Sequence, residues 1–301
     1  MTETKKAPGG SALLAGRPVA RIGFGAMQLG PLRGRPPVDR ARALEVLRRA
    51  VDQGVNHIDT AQFYGDGACN ELIREALHPF PDDLALVSKV GADHDQRGGL
   101  VAAQRPEQLR AGVEENLAAL GIDQLAVVNL RRLDAPPGIL AEGDQLVDLD
   151  SQLAELVALR DEGKIGAIGL SNVSAAQLRQ ALPAGIACVQ NGYNLVDRAT
   201  GPVLDLCREH DIAWVPFFPL GSAFPGHPKV VEQPAVIEAA ASLGVTPAQV
   251  GLAWLLAHYE HTLLIPGTSN PDHLDENLMV GDVRLDPEII ESLDGVAASL
   301  A

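Results

Sequence analysis

The sequence predicts a (β/α)8 barrel. Three observations carry this reading. Eight short apolar runs alternate with helix-length amphipathic segments, glycines stop several of those segments, and polar residues gather just past the apolar runs. Strict alternation implies parallel strands joined by right-handed crossovers, and eight such units close into a barrel. The competing open, doubly wound sheet normally carries a Gly-rich dinucleotide turn after its first strand. The stretch GFGAMQLG (23–30) has Gly23 and Gly25 but no GxGxxG.

In chain order, residues 1–10 are polar, end in Gly9-Gly10 and read as a loose tail, which leaves 11–301 as one barrel domain opened by a hairpin. The strand candidates are 21–24, 57–59, 84–89, 125–130, 164–170, 187–190, 213–217 and 263–265. The helix candidates between and after them are 39–53, 70–78, 106–120, 150–162, 174–182, 201–210, 234–243 and 271–280. Pro106 suits a first helical turn, and Asn172 or Ser174 can cap the helix that follows them. Gly54, Gly121, Gly163 and Gly244 each stand just past a periodic segment, where a helix ends. Two further helical patterns, 247–258 and 286–298, lie outside the eight units. Trp214, in the strand candidate 213–217, and Trp254, in the helical pattern 247–258, read as core.

Composition narrows the function classes. A content of 46% hydrophobic and 21% charged residues suits a globular chain with a sizeable core. A net charge of −15 repels phosphate backbones, so nucleic acid is excluded as the expected partner. No apolar run is long enough to span a membrane, and MTETKKAPGG lacks the apolar core of a secretory leader, so the expectation is cytoplasmic. Cys69, Cys188 and Cys207 are odd in number and widely spaced, which reads as reduced thiols. The eight His form no ligand-spaced cluster, so no metal is expected. A monomer is favoured, with a small molecule as partner.

In a barrel the chemistry sits at the carboxyl ends of the strands. The second strand ends in Asp59, followed by Thr60-Ala61-Gln62-Phe63-Tyr64-Gly65, and the third ends in Lys89. An ammonium at the barrel mouth needs a carboxylate, and Asp59 is the candidate. That pair places positive charge beside Tyr64, which is expected to lower the phenol's pKa and ease proton donation. Taken singly, each residue reads as well as a structural ion pair or a loop tyrosine.

The chain resembles the aldo-keto reductases over essentially its whole length. The stretches that carry the resemblance are GFGAMQLG (23–30), GVNHIDTAQFYG (54–65), LVSKVG (86–91), GKIGAIGLSN (163–172), VQNGYN (189–194) and IPGTSNPDHLDEN (265–277). The resemblance implies that Asp59, Tyr64 and Lys89 occupy three of the four catalytic positions, with Tyr64 as general acid. The fourth is usually a histidine. Aligning LGID (120–123) without a gap puts it on Arg131, in VVNLRRLD (127–134), whereas reaching Asn129 needs a shift of two. Arg131 can orient a carbonyl and stabilise an alkoxide, though it cannot lose its proton. A solvated strand-end arginine, with Arg132 as its twin, is the plain alternative. VVNLRRL, VPFFPLG (215–221) and LLIPGTS (263–269) further resemble the pyridoxal-reducing members of that family, whose substrate offers Arg131 a phenolate oxygen beside the aldehyde.

The same resemblance implies NADP(H) as cofactor. It puts Ser171, Asn172 and Gln190 on the nicotinamide carboxamide and Phe217 on the nicotinamide ring. Gly25, Ala26 and Met27 follow the first strand at the cofactor's edge, and Leu220, Gly221 and Ser222 match the pyrophosphate loop. Gly267, Thr268 and Ser269 precede the helix opened by Pro271, and Glu276 and Asn277 match the residues that bond adenine. Where many relatives carry Lys and Arg for the 2′-phosphate, this chain has Gly267 and His273, so NADP is favoured over NAD on the Thr-Ser pair and the helix amides. The loops 91–105, 133–149 and 222–233 would line a substrate pocket. Two other readings stay open: a cofactor-sensing regulatory subunit with little turnover, and a barrel isomerase or aldolase using Lys89 as a Schiff base, which leaves the cofactor-type stretches unexplained.

Overall fold

In the computed structural model the described residues are 6–31, 37–221 and 228–296. The chain opens with an antiparallel hairpin of β1 (Ser11–Leu14) and β2 (Arg17–Ala20). Seven parallel strands follow: β3 (Phe24–Gly25), β4 (His57–Asp59), β5 (Ala85–Val90), β8 (Val127–Arg131), β9 (Ile168–Ser171), β10 (Ile186–Gln190) and β11 (Ala213–Trp214), hydrogen-bonded in that order. Between β5 and β8 stands a second hairpin, β6 (Ala92–His94) and β7 (Leu100–Ala102), within a stretch expected to be loop.

The eighth strand is reduced to single bridges. Thr262 bridges Trp214, and Leu264 bridges Ile22, both in parallel. Leu263 N donates to Trp214 O (2.8 Å), and Gly23 N donates to Leu264 O (2.8 Å), so the last strand position joins the first and the barrel closes. A closed sheet leaves no edge to be covered.

Helices α1 (Arg40–Asp52), α2 (Ala68–Leu77), α3 (Pro106–Leu120), α4 (Leu149–Asp161), α5 (Ala175–Ala181), α6 (Gly201–Glu209), α7 (Pro234–Leu243), α8 (Pro247–His258), α9 (Pro271–Leu278) and α10 (Pro287–Asp294) surround the sheet. Local chemistry sets their starts: Asp39, Asp148, Ser174, Thr246, Asn270 and Asp286 each accept a first-turn backbone N–H. Of the two caps considered for α5, Ser174 is the one used. Gly121, with φ +69°, ends α3 in the left-handed conformation.

The strands divide the core in two. Along β8, Val127 belongs to an inner cluster and Val128 and Leu130 to an outer one. The outer cluster fills the space between sheet and helices and includes Phe24, Ile58, Ile168, Leu170, Trp214 and Trp254. The inner cluster holds Ala85, Val87, Cys188, Ala213, Val215 and Leu263 together with Ala12, Leu14 and Val19 of the hairpin. The hairpin therefore plugs the amino-terminal end of the barrel, and the opposite end is left for polar side chains. Lys6–Gly10, part of the stretch that reads from sequence as a loose tail, are tied to the barrel by backbone hydrogen bonds, with Pro8 buried. Arg21 N donates to Gly10 O, Ile22 N donates to Pro8 O, and Lys6 pairs with Asp282. Among the described residues no single helix is long and apolar enough to cross a membrane, no metal-ligand cluster occurs, and the three cysteines are free and buried.

Candidate active site

At the carboxyl end of the barrel, period-two alternation turns Asp59, Lys89, Arg131, Ser171 and Gln190 inward from five successive strands. The pair expected from sequence forms. Lys89 Nζ lies 2.5 Å from Asp59 Oδ1 and donates also to Thr60 O at 3.1 Å, with both side chains almost fully buried. The other Asp59 oxygen accepts from Gln190 Nε2 at 2.6 Å. Burial pulls the Lys89 ammonium down, but Asp59 and then Tyr64 pull it up further, so its pKa is raised and the lysine stays charged. A Schiff-base role would need the opposite shift.

Tyr64 sits on the loop between β4 and α2, half-buried, with its ring centroid 4.8 Å from Lys89 Nζ. Its pKa runs against the sequence expectation. Burial raises it, and the lowering by Lys89 and Arg131 does not overcome that, with Asp59 adding to the rise. The sequence showed the neighbouring cation but not the depth of the phenol, and desolvation of a phenolate is the larger effect here.

Arg131 closes β8 inside the mouth. Its Nη2 donates to Pro137 O at 2.9 Å, Nη1 stands 3.5 Å from Ser171 Oγ, and the guanidinium carbon lies 5.6 Å from the Phe217 ring centroid. Burial lowers its pKa, and Tyr64 raises it in part. No carboxylate partners it among the described residues. Its neighbour Arg132 is the reverse case: buried, with both Nε and Nη2 on Asp134, and Nη1 on Val147 O and Gln152. The twins share a strand end yet face different partners, Arg131 toward Ser171 and Phe217 at the mouth and Arg132 toward Asp134 and Gln152. Asn129 is fully buried two residues earlier on β8 and accepts from Cys188 Sγ at 3.3 Å, below the mouth.

The residues assigned to a cofactor line the same rim. Ser171 is fully buried beside Arg131, and Gln190 Oε1 is buried without a partner, an acceptor free for an amide N–H. Asn172, at φ +59°, turns its amide nitrogen away to Arg132 O and Ala135 O. Phe217 is half-buried over Arg131 and Gly192. Gly25 opens the short helical turn Ala26–Leu29, which contains Met27, and Gly25 meets Gly267 where the first and last strands end. Leu220 packs on Gly251 of α8, and Gly221 bridges Lys229. Ser222, with Phe224 and His227 of the same loop, lies outside the described residues.

Thr268 Oγ1 accepts from Asn270 N at 3.0 Å ahead of α9, and Ser269 is half-buried beside them. His273 is exposed on the first turn of α9. Glu276 and Asn277 are half-buried further along it, and the Glu276 carbonyl accepts from Gln249. Sequence reasoning missed Arg42 of α1, whose Nη2 donates to Asn270 Oδ1 at 3.1 Å and brings a cation to this helix start. It also missed a buried amide network behind the Tyr64 loop. Thr60 Oγ1 donates to Asn70 Oδ1, Asn70 Nδ2 donates to Gln62 Oε1 and Asn116 Oδ1, and Ser88 Oγ donates to Asn116 Oδ1, all at 2.5–2.9 Å. The available signal was Asn70 and Asn116 standing at apolar positions of helical patterns.

The family model described as the aldo/keto reductase family matches residues 21–298. Pyridoxine 4-dehydrogenase of Escherichia coli (strain K12) is 43% identical over 286 residues, 94% of this chain and 97% of that protein. An uncharacterized oxidoreductase of Schizosaccharomyces pombe is 32% identical over 282 residues, 92% of this chain and 86% of that one. Among solved structures, an aldo-keto reductase from Klebsiella pneumoniae in complex with NADPH superposes with a TM-score of 0.76 at 26% identity, covering 93% of this chain and 92% of that one. With the family model spanning nearly the whole barrel and the Asp59–Lys89 pair beside Tyr64 at its mouth, the chain belongs to the aldo/keto reductase family.

Proposed function

We propose that this protein is an NADPH-dependent carbonyl reductase and that pyridoxal, reduced to pyridoxine, is its best substrate. The observation that carries the substrate reading is Arg131, a guanidinium in the mouth with no carboxylate partner among the described residues and Nη1 held only by the long contact to Ser171. The name of the 43% identical Escherichia coli relative supports it. Cofactor choice is supported by the NADPH complex of the Klebsiella structure.

The residues present fit the cofactor. The unpartnered, buried Gln190 Oε1 and the adjacent Ser171 suit a carboxamide, and Phe217 offers a ring face at the same rim. Thr268, Ser269 and the first turn of α9 suit a phosphate, with Arg42 as a cation and the His273 ring as a further N–H donor. When bound, NADPH supplies a hydride to the carbonyl carbon.

This chain's own residues handle the oxygen. Tyr64 gives its proton to the carbonyl oxygen, and Lys89 and Arg131 offset part of the cost of the buried phenolate left behind. Arg131 donates to the same oxygen as negative charge grows on it. Asp59 keeps Lys89 charged and fixed. In pyridoxal the phenolate oxygen beside the aldehyde gives the guanidinium a second acceptor, a fork that a single imidazole N–H cannot match.

The test is a panel of aldehydes that includes pyridoxal, followed by the fall in NADPH absorbance. Pyridoxal should give the highest kcat/KM. No NADPH consumption with any aldehyde, alongside tight NADPH binding, would sink the enzyme reading in favour of a cofactor sensor.

A further inference from the structure

Past the last paired residues of β5 and β8, Val90 and Leu130, the two strands no longer bond to one another directly. One side chain bridges them. Gln104, on the segment between β7 and α3, is 1% exposed and donates from Nε2 to Gly91 O at 2.6 Å and to Arg131 O at 2.8 Å. Its other polar atoms are held as well. The backbone N–H donates to Gln145 Oε1 at 2.7 Å, while the carbonyl and Oε1 accept from Gln152 Nε2 at 2.6 and 3.1 Å. Gln152 is fully buried and accepts in turn from Arg132. Gly91, with φ +111°, is required for this clamp, since a Cβ there would fall 2.6 Å from Gln104 Nε2 and 2.5 Å from Arg131 O.

The chemistry of the clamp is specific to an amide. Two buried carbonyls need two N–H donors on a neutral group, and the Gln152 donor needs an acceptor. A carboxylate at position 104 would face two carbonyl oxygens, and an apolar side chain would take the Gln104 donor from Arg131 O and leave Gly91 O with Ala103 N alone.

Resting on the role proposed for Arg131, we propose that Gln104 is a positioning residue that fixes the backbone of Arg131 against β5 and so holds its guanidinium where the carbonyl oxygen must lie. It touches no reacting atom. Its whole effect on turnover passes through Arg131, because a misplacement of about 1 Å in a catalytic donor can cost on the order of 100-fold in rate.

The test is a double-mutant cycle with Gln104→Met, similar in length but without donors, in the wild-type and Arg131→Ala backgrounds. In the wild type, Gln104→Met should lower kcat/KM for pyridoxal, or for the best aldehyde of the panel, on the order of 10-fold, with NADPH affinity by fluorescence titration unchanged. In the Arg131→Ala background the same change should alter kcat/KM by less than ~2-fold. Equal losses in both backgrounds would overturn the proposal and leave Gln104 a structural amide. If Gln104→Met does not fold, Gln152→Met goes through the same cycle, since it frees one end of Gln104 and leaves its two donors in place. Its loss should also vanish with Arg131→Ala, and persistence would count against the proposal. An Arg131→Ala enzyme as active as wild type would remove the role of Arg131 and this proposal with it, whereas a crippled Arg131→Ala with an additive cycle overturns the positioning role alone.

Discussion

The two ends of this barrel use inward-pointing residues in opposite ways. At the amino-terminal end, Ala12, Leu14 and Val19 of the hairpin fill the interior between Ala85, Val127 and Ala213, and the imidazole of His57 is buried. At the carboxyl end the same alternation delivers Asp59, Lys89, Arg131, Ser171 and Gln190 to one cleft. The polar groups at the mouth keep binding capacity in hand, such as Gln190 Oε1 and the Arg131 guanidinium. A fold can carry such groups because the opposite end supplies stability. Substitutions at the mouth should therefore change turnover and leave the melting temperature, and those at the base should do the reverse.

The largest effect is expected from Tyr64→Phe. It removes the proton donor and leaves the binding groups, so kcat should fall by at least ~100-fold with NADPH affinity and Tm unchanged. A variant retaining most of its turnover would take Tyr64 out of the mechanism.

Arg131→Ala should lower kcat/KM for every aldehyde by about 2–4 kcal/mol, the size of losing an oxyanion donor, with pyridoxal hit hardest. Arg131→His should recover general aldehyde reduction and leave pyridoxal comparatively poor. Parallel behaviour of the two substrates across these variants would argue against the forked contact.

At the base, burial pushes the His57 imidazole down to about 4. The unfolded chain, near 6.5, therefore binds the proton first. The stability that comes from keeping His57 neutral is complete above pH ~6.5 and is lost as pH falls toward 4, by an amount on the order of 3 kcal/mol. His57→Leu should flatten this part of the Tm–pH curve without changing kcat at neutral pH. An unchanged slope would show that carboxylates set the acid limit instead. Gly23→Ala probes the same spot, since a methyl there would fall 2.2 Å from the His57 ring, and it should lower Tm.

The smallest effect concerns cofactor choice. Arg42→Ala and His273→Ala should each reduce the NADPH preference over NADH a few-fold, on the scale of surface charge contacts, and NADH kinetics should not move. A preference that survives both changes would leave the helix amides and Thr268 as its source.

The readable part of this molecule was periodic or chemical in a local sense. The alternation of 84–89 with 106–120 marked strand and helix, and Pro106 and Gly121 set the bounds of α3 to the residue. Asp59 and Lys89 announced their pairing because a lysine after Leu86-Val87-Ser88 cannot stay buried alone. The eighth strand, by contrast, is paired through only single bridges at Thr262 and Leu264, and its extent follows from closure of the sheet. The hairpin at Ala92–His94 and Leu100–Ala102 hid inside a polar stretch, since a two-stranded ribbon on the surface has no buried face to impose a pattern.

What the sequence determined by itself was the order of strands and helices, the caps that start the helices and the residue types delivered to the strand ends, all of which follow from contacts a few residues apart. Three matters were decided only by tertiary structure. One is how the neighbours Arg131 and Arg132 are partnered, the first without a carboxylate and the second on Asp134 and Gln152, because partners depend on strand register. The second is the direction of the Tyr64 pKa, because desolvation depends on what surrounds the ring. The third is the amide that bridges Gly91 and Arg131, because Gln104 lies 13 residues from one partner and 27 from the other and meets both only once β5 and β8 have paired. Burial and register are properties of the assembled sheet, and no window along the chain contains them.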